Sequence, residues 1–338
     1  MTKRTSAFSI TLWVALAAAA MAPLSRAQNM TAAETHGQLN RDFDKTELHL
    51  LPVQGNIYML VGDGANIAVQ VGKQGILLVD TGFAQLSAKL VAAVSKLSEK
   101  PIRYIINSNS FADRVSGNES VRRAGATVTG ANVAANITDA GAGAALLAHE
   151  NVLTRLSAPT GKQSPFPPGA WPTDTFFGAE KPLYFNDESI QVLYQPAANT
   201  DGDVIVYFRR SDVIDAGDLF NTDTYPVIDV DKGGTIEGVV QGLNHIVRLA
   251  IVAHEEEGGT LVIPGHGHLC DQAEVVEYRD MVTIVRDRIQ AMIKKGMTLD
   301  QVKAAKPTRD YDPLYNTNDF WTADMFVTAA YKSLTAKP

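Results

Sequence analysis

The sequence predicts an α/β domain in which helices cover the faces of β-sheet. Three observations carry this reading. Short runs rich in β-branched and aromatic residues recur between glycine turns, the apolar period switches repeatedly from strand-like to helix-like, and strands and helices alternate along the middle of the chain.

NIYMLV (56–61), NIAVQV (66–71) and GILLVD (75–80) read as a hairpin-linked meander, because GDGA and GKQG supply the turns between them. From Phe83 to Leu97 the period changes, with Leu86, Leu90, Val94 and Leu97 on one helical face. IRYIIN (102–107) is a strand, 119–124 a short helix, ATVTG (126–130) a strand, and 132–137 opens another helical stretch. Residues 138–181 then interrupt the pattern as an insertion, with GAGAALLA, the helical HENVLTRL and the proline-rich loop APTGKQSPFPPGAWP. A second β group follows in PLYF (182–185), SIQVLYQP (189–196), DVIVYF (203–208), DVIDAG (212–217) and TLVIPG (260–265). Asp271 caps the next helix, with Glu274 three residues on, and Val275, Tyr278, Val282, Val285, Ile289 and Met292 form its buried stripe. No Pro/Gly-rich linker divides the chain, so residues 48–338 read as one domain, with C-terminal helices over 271–335.

The first 27 residues place Lys3 and Arg4 before an uncharged apolar run and end on small residues, the pattern of a secretory signal peptide cut after Ala27. The expected location is periplasmic or secreted. Removing this leader, with Lys3, Arg4 and Arg26, takes the formal charge from −7 to −10. Such a balance repels nucleic acid and anionic lipid, so no nucleic-acid partner and no membrane association after cleavage are expected. About 310 residues remain, enough for a sizeable core. Residues 28–47 are polar and aperiodic and read as a flexible lead-in. Cys270 is the only cysteine, which rules out an intramolecular disulfide and assigns any metal site to His, Asp or Glu.

Five blocks carry a resemblance. VDTG (79–82), NSNSFADRVSGN (107–118), PAANTDGD (196–203), DAGDLF (215–220) and IPGHG (263–267) resemble, in order and rough spacing, the motif loops of the metallo-β-lactamase superfamily. The resemblance implies an αβ/βα sandwich of two packed mixed β-sheets with outer helices and the metal loops along one edge. It also implies hydrolysis by metal-bound hydroxide, with β-lactam, thioester, lactone and phosphoester substrates all served by the family.

The family's second block usually reads HxHxD followed by His or Arg, the third supplies a His, the fourth an Asp or Cys and the fifth a His. Here Asn109 and Phe111 stand at the first two His positions, Arg114 follows the Asp, and Asn199 takes the third His position. Phe111 cannot ligate and Asn is a poor zinc partner, so the first zinc site is expected to be lost. Asp113, Asp218 and His266 remain as ligands for at most one zinc ion.

Two carboxylates brought together repel, and something must neutralise Asp113 and Asp218. A metal ion between them and His266 is one solution, with Asp113 as proton acceptor and the amides of Asn199 or Asn109 stabilising developing charge. The other is a two-pronged salt bridge from Arg114, which leaves a metal-free remnant. The matching functions are a hydrolase-like protein with at most one metal, active or silent, and a metal-free protein binding a small-molecule ligand through Asn109, Arg114 and Asn199.

Asp80 reads as a hydrogen-bonding brace or a plain turn residue. His268 reads as a surface residue or a substitute ligand, and His149, His245 and His254 as surface or capping residues. Trp171 and Phe166, Phe176 and Phe177 line a pocket from the insertion or pack its core. GDGA and DKGG are turn glycines, because no phosphate-binding lysine or helix start follows them.

Overall fold

The computed structural model describes residues 42–127, 143–159, 163–254, 258–317 and 320–336. The leader, most of the lead-in, the helical stretch at 132–137 and most of ATVTG lie outside the described residues.

The first sheet has seven strands in sequence order: β1 (His49–Pro52), β2 (Ile57–Val61), β3 (Ile67–Gly72), β4 (Gly75–Val79), β5 (Ile102–Ile106), β6 (Ala145–His149) and β7 (Asp174–Phe176). The first four form an antiparallel meander, whereas β4 to β7 run parallel. The second sheet, ordered β12-β11-β10-β9-β8, contains β8 (Glu180–Phe185), β9 (Glu188–Gln195), β10 (Asp203–Phe208), β11 (Val213–Asp215) and β12 (Leu261–Ile263). Only its β11–β12 pair is parallel.

Strand alternation sorts each run into two cores. In β4, Leu77 and Val79 face the second sheet while Ile76 and Leu78 face outward; in β10, Val204, Val206 and Phe208 face the first sheet while Ile205 and Tyr207 face outward. Both faces are covered, which is why these strands read as continuous apolar runs. Helices α1 (Ser87–Val94) and α3 (Asn118–Ala124) cover the first sheet, and α2 (Ala112–Val115) is a single turn before α3. After α4 (Glu150–Ser157), the second sheet is covered by α5 (Ile236–Leu249), α6 (Gln272–Lys294), α7 (Leu299–Ala304) and α9 (Ala323–Thr335), with the short α8 (Asp312–Tyr315) between. The layers are therefore helix, sheet, sheet, helix, the sandwich that the motif blocks imply.

Two readings change. Within the stretch expected to be an insertion, the described residues 143–159 and 163–181 carry β6, α4 and β7, and the two strands extend the parallel half of the first sheet. The short Ala/Leu strand ALLAH carries no alternation to reveal it. The end of the lead-in is tied down where it is described: Lys89 Nζ donates to the carbonyls of Phe43, Asp44 and Thr46 at 2.8–2.9 Å, and Phe43 packs on Phe83 with ring centroids 5.2 Å apart.

The site edge follows from this topology. The carboxyl ends of β4 and β5 in one sheet and of β11 and β12 in the other open onto one edge, and the turn before β10 joins them. Cross-sheet hydrogen bonds close it, with Val204 N–H donating to Ser108 O at 2.8 Å and Asn66 N–H to Gly265 O at 2.8 Å.

Leu147 in β6 belongs to the core between the sheets and is 2% exposed. Leu147→Ala should cost about 2–5 kcal/mol in urea unfolding, the range for a large-to-small change in a core. A peripheral insertion would lose well under about 1 kcal/mol.

Candidate functional site

Arg114 forms the centre of the edge. Its side chain is 1% exposed, and its Nε donates to Asp218 Oδ2 at 2.9 Å while Nη2 donates to Asp218 Oδ1 at 2.5 Å. Nη1 reaches Asp80 Oδ2 and the Asn66 carbonyl at 3.3 and 3.4 Å. Burial alone would lower the guanidinium pKa, but Asp218, Asp113 and Asp80 together hold it above its ordinary value. A Cβ on Gly265 would come within 2.5 Å of Arg114 Nη2, so glycine makes the room for the guanidinium.

Asp80 ends β4 in the left-handed region, at φ 71°. It accepts from the backbone N–H of Ser108 at 2.8 Å and from its hydroxyl at 2.5 Å, which makes it a brace between loops. Burial pushes its carboxyl up to about 6, against the pull of Arg114 and Ser108. Two more buried carboxyls lie nearby. Asp203 accepts from the Thr200 N–H and hydroxyl and from Asn109 Nδ2, and burial still raises it to about 7. Asp215 accepts from Gly217 N–H at 3.0 Å, and burial together with Asp80 raises it to about 8. Neither stands out in the sequence, although both lie inside the quoted blocks.

Asn109 is fully buried. Its Nδ2 donates to Asp218 Oδ2 at 2.7 Å, and its Oδ1 accepts from Phe111 N–H at 2.8 Å. Asn199 Nδ2 donates to the carbonyls of Asp218 and Val227 at 3.1 and 2.8 Å, while its buried Oδ1 has no hydrogen-bond partner among the described residues. Phe111 is 4% exposed, and Lys232 Nζ lies 5.5 Å from its ring centroid.

Asp113 and His266 keep appreciable exposure, 18% and 19%, as does Lys232 at 19%. His266 Nε2 is 3.1 Å from Asp113 Oδ2 and 3.6 Å from Asp218 Oδ1.

All seven residues marked by the motifs thus meet at one edge, but three expected roles do not match their placement. Asn109 and Arg114 are sealed among aspartates and do not face a ligand. The amide hydrogens of Asn199 are committed to backbone carbonyls, which leaves none for an oxyanion.

The donor set also bears on zinc. Asn199 Oδ1 is the one uncommitted oxygen at the first-site positions, too little for an ion that prefers imidazole and thiolate. At the second site, both Asp218 oxygens already accept Arg114 and Asn109. The three donors do not all come within 4.8 Å of one another, and among the described residues only His268, Cys270 and Glu274 form such a group. The lone cysteine therefore sits in a donor cluster that the composition argument sets aside.

The remaining residues resolve plainly. His149 caps α4 through Nδ1 and stacks on Tyr194 at 3.8 Å, so it caps from a buried position. His245 Nδ1 pairs with Gln195. Phe176 packs between the sheets, and Phe166 and Trp171 pack on Val115, Ala148, Val152 and Leu156; Phe177 is exposed.

A profile of the metallo-beta-lactamase superfamily matches residues 51–266, well over half of the chain. The chain belongs to that superfamily. Among solved structures, a metallo-beta-lactamase from Pontibacter korlensis aligns at 14% identity with a TM-score of 0.53, over 70% of this chain and 99% of its own. The stereoselective inverting sec-alkylsulfatase Pisa1 from Pseudomonas sp. aligns at 14% identity and TM-score 0.58, over 90% of this chain and 52% of its own. A double mutant of that sulfatase gives 14% identity and 0.59, over 90% and 53%. This superfamily member thus spans about half of the sulfatase chain, and at such identities the likeness is one of fold. No curated sequence matches the chain.

Two outcomes are expected in this superfamily member. Arg114→Met removes the cation from a buried pair and should cost about 3–5 kcal/mol in chemical denaturation, with Arg114→Lys recovering only part because an ammonium lacks the planar fork. Asp203 and Asp215 hold protons in the folded state that unfolded carboxyls release near pH ~3.9. Their contribution to stability is complete below that pH and is lost as pH rises through about 7 and about 8. The melting temperature should fall from pH 5.5 to 8.5, and Asp215→Asn should flatten the decline.

Proposed function

We propose that this chain is an exported, hydrolase-like member of the superfamily in which the binuclear centre has been replaced by an internal ion-pair lattice. In this reading the protein binds a small molecule at the cleft edge without metal-dependent hydrolysis. The observation that carries the proposal is the two-pronged Arg114–Asp218 contact, because it occupies both oxygens of the carboxylate that would bind the second metal. The replacement of imidazole by Phe111 and by the committed amides of Asn109 and Asn199 supports it.

The part-exposed groups at the cleft rim are Asp113 and His266, which pair with each other. A carboxylate and an imidazole 3.1 Å apart suit a small ligand with a hydrogen-bond donor beside an acceptor. The leader-like first 27 residues and the mature charge support a periplasmic or secreted setting and a partner that is neither nucleic acid nor membrane.

The approach of His266 Nε2 to both Asp113 and Asp218 favours a second reading, a single zinc ion held by these three residues. Arg114 would have to release Asp218, and the ion would then supply a polarised water for hydrolysis. Whether such a protein turned over a β-lactam, thioester, lactone or phosphoester would depend on its cleft loops.

Metal analysis of the mature protein soaked in zinc, compared with Asp113→Asn and His266→Ala, separates the two. The ion-pair reading expects these variants to retain as much zinc as the parent. Loss of one equivalent in both would overturn it in favour of the single-zinc site. Two equivalents lost together would show that the first site also binds.

A further inference from the structure

The loop leaving β12 assembles a second group of donors, separate from the ion-pair lattice. His268 Nε2 lies 2.8 Å from Glu274 Oε1, and Cys270 Sγ joins them with all three donor atoms within 4.8 Å of one another. The three belong to a rigid frame. Cys270 exchanges both backbone hydrogen bonds with Val262, at 2.8 and 3.0 Å, and His268 N–H donates to Thr222 Oγ1 at 3.2 Å.

Glu274 adds an independent sign. It is the third residue of α6, whose cap Asp271 accepts from the N–H groups of Ala273 and Glu274. A glutamate there ordinarily reaches back to the cap's own N–H. Here its carboxylate turns to His268 instead, next to the chain's only thiol.

We propose that His268 Nε2, Cys270 Sγ and Glu274 Oε1 form a site for one divalent transition-metal ion, best suited to zinc, with a fourth position open to water. The ligand chemistry fits, since zinc accepts thiolate, imidazole and carboxylate in tetrahedral sites. With zinc-to-donor distances of roughly 2.0–2.3 Å, the donors would stand roughly 3.4–3.6 Å apart. His268 and Glu274 therefore need to separate by roughly 0.6–0.8 Å from their 2.8 Å hydrogen bond, and their donor atoms need to close on Sγ from within 4.8 Å. Their side chains are 67% and 41% exposed and free to do so, while Cys270 stays fixed beneath them. On binding, the thiol loses its proton to solvent and the sulfur donates the freed electron pair to the ion, with no change in oxidation state. The bound ion would fasten the loop carrying His266 to the start of α6.

The single cysteine makes the test specific. The chelator-treated mature protein is titrated with cobalt(II), and the thiolate-to-cobalt charge-transfer absorption is followed in the near ultraviolet. One equivalent should produce the band and zinc should displace it. Cys270→Ser should abolish the band, His268→Ala and Glu274→Gln should each weaken cobalt binding at least tenfold, and Asp113→Asn should leave both unchanged. The two exposed-residue variants keep the test valid if Cys270→Ser folds poorly. Absence of the band at millimolar cobalt, or a band of unchanged affinity in both His268→Ala and Glu274→Gln, overturns the proposal. Cobalt bound without the band and lost in Asp113→Asn also overturns it, and locates the ion in the cleft.

Discussion

A guanidinium without access to water must be surrounded by anions and acceptors, and the motif edge is organised around that requirement. Arg114 has no solvent to fall back on, so Asp218, Asp80 and the Asn66 carbonyl meet it from different loops. Each contact constrains the chain elsewhere. Gly265 leaves the volume that Nη2 occupies, Gly217 turns at φ +53° with its missing Cβ facing Ser108, and Asp80 adopts a φ unusual for a side chain with a Cβ. The left-handed Asp80 backbone is held by what it connects, because its carboxyl receives both Ser108 donors as well as Arg114.

The charge balance shows how one cation serves several carboxyl groups. Asp218 faces Arg114 through two oxygens, while burial favours the neutral forms of Asp203 and Asp215. A buried carboxyl can be neutralised by a cation or by a proton, and this edge uses both. Lys232 adds a second positive group over Phe111, itself paired with Asp229 at 3.3 Å. Under the ion-pair reading, these side chains and protons replace the charge that metal ions bring to this fold.

Legibility in the sequence divides along physical lines. β4 and β10 are readable because covered strands are continuous apolar runs between turns, and α6 because Asp271 marks its start. β6 and β7 are not, since short parallel strands inside a Gly/Ala- and Pro-rich stretch owe their state to neighbours rather than to local pattern. Helix α5 also escapes the pattern, although Thr235 caps it and its apolar positions form one face; its glycines weaken the local signal. At the site, motif order is enough to bring Asp113, Asp218 and His266 to one edge. It cannot orient Arg114, because the space for that side chain is made by Gly265, far along the chain. Nor can it show that Asn109 and Asn199 spend their amide hydrogens internally, since that depends on which acceptors the fold leaves beside them.

The same constraint explains how the scaffold can keep its shape with altered ligands. The edge joins loops from two sheets, and polar backbone groups buried there need partners whatever the chemistry of the cleft. Asn66 spans them by donating its side chain to the carbonyls of Pro264 and Gly267, while Asn107 and Asn118 bond each other and Asn118 also reaches Thr81 and Ala170. These amides are neutral, so they hold the loops at any protonation state of the aspartates. The ion-pair lattice adds rigidity at the centre of that frame. Asp113 and His266 stand at its rim, part-exposed and 3.1 Å apart. Substitution at the rim leaves these interior contacts in place, whereas substitution at Arg114 removes contacts to Asp218, Asp80 and the Asn66 carbonyl together.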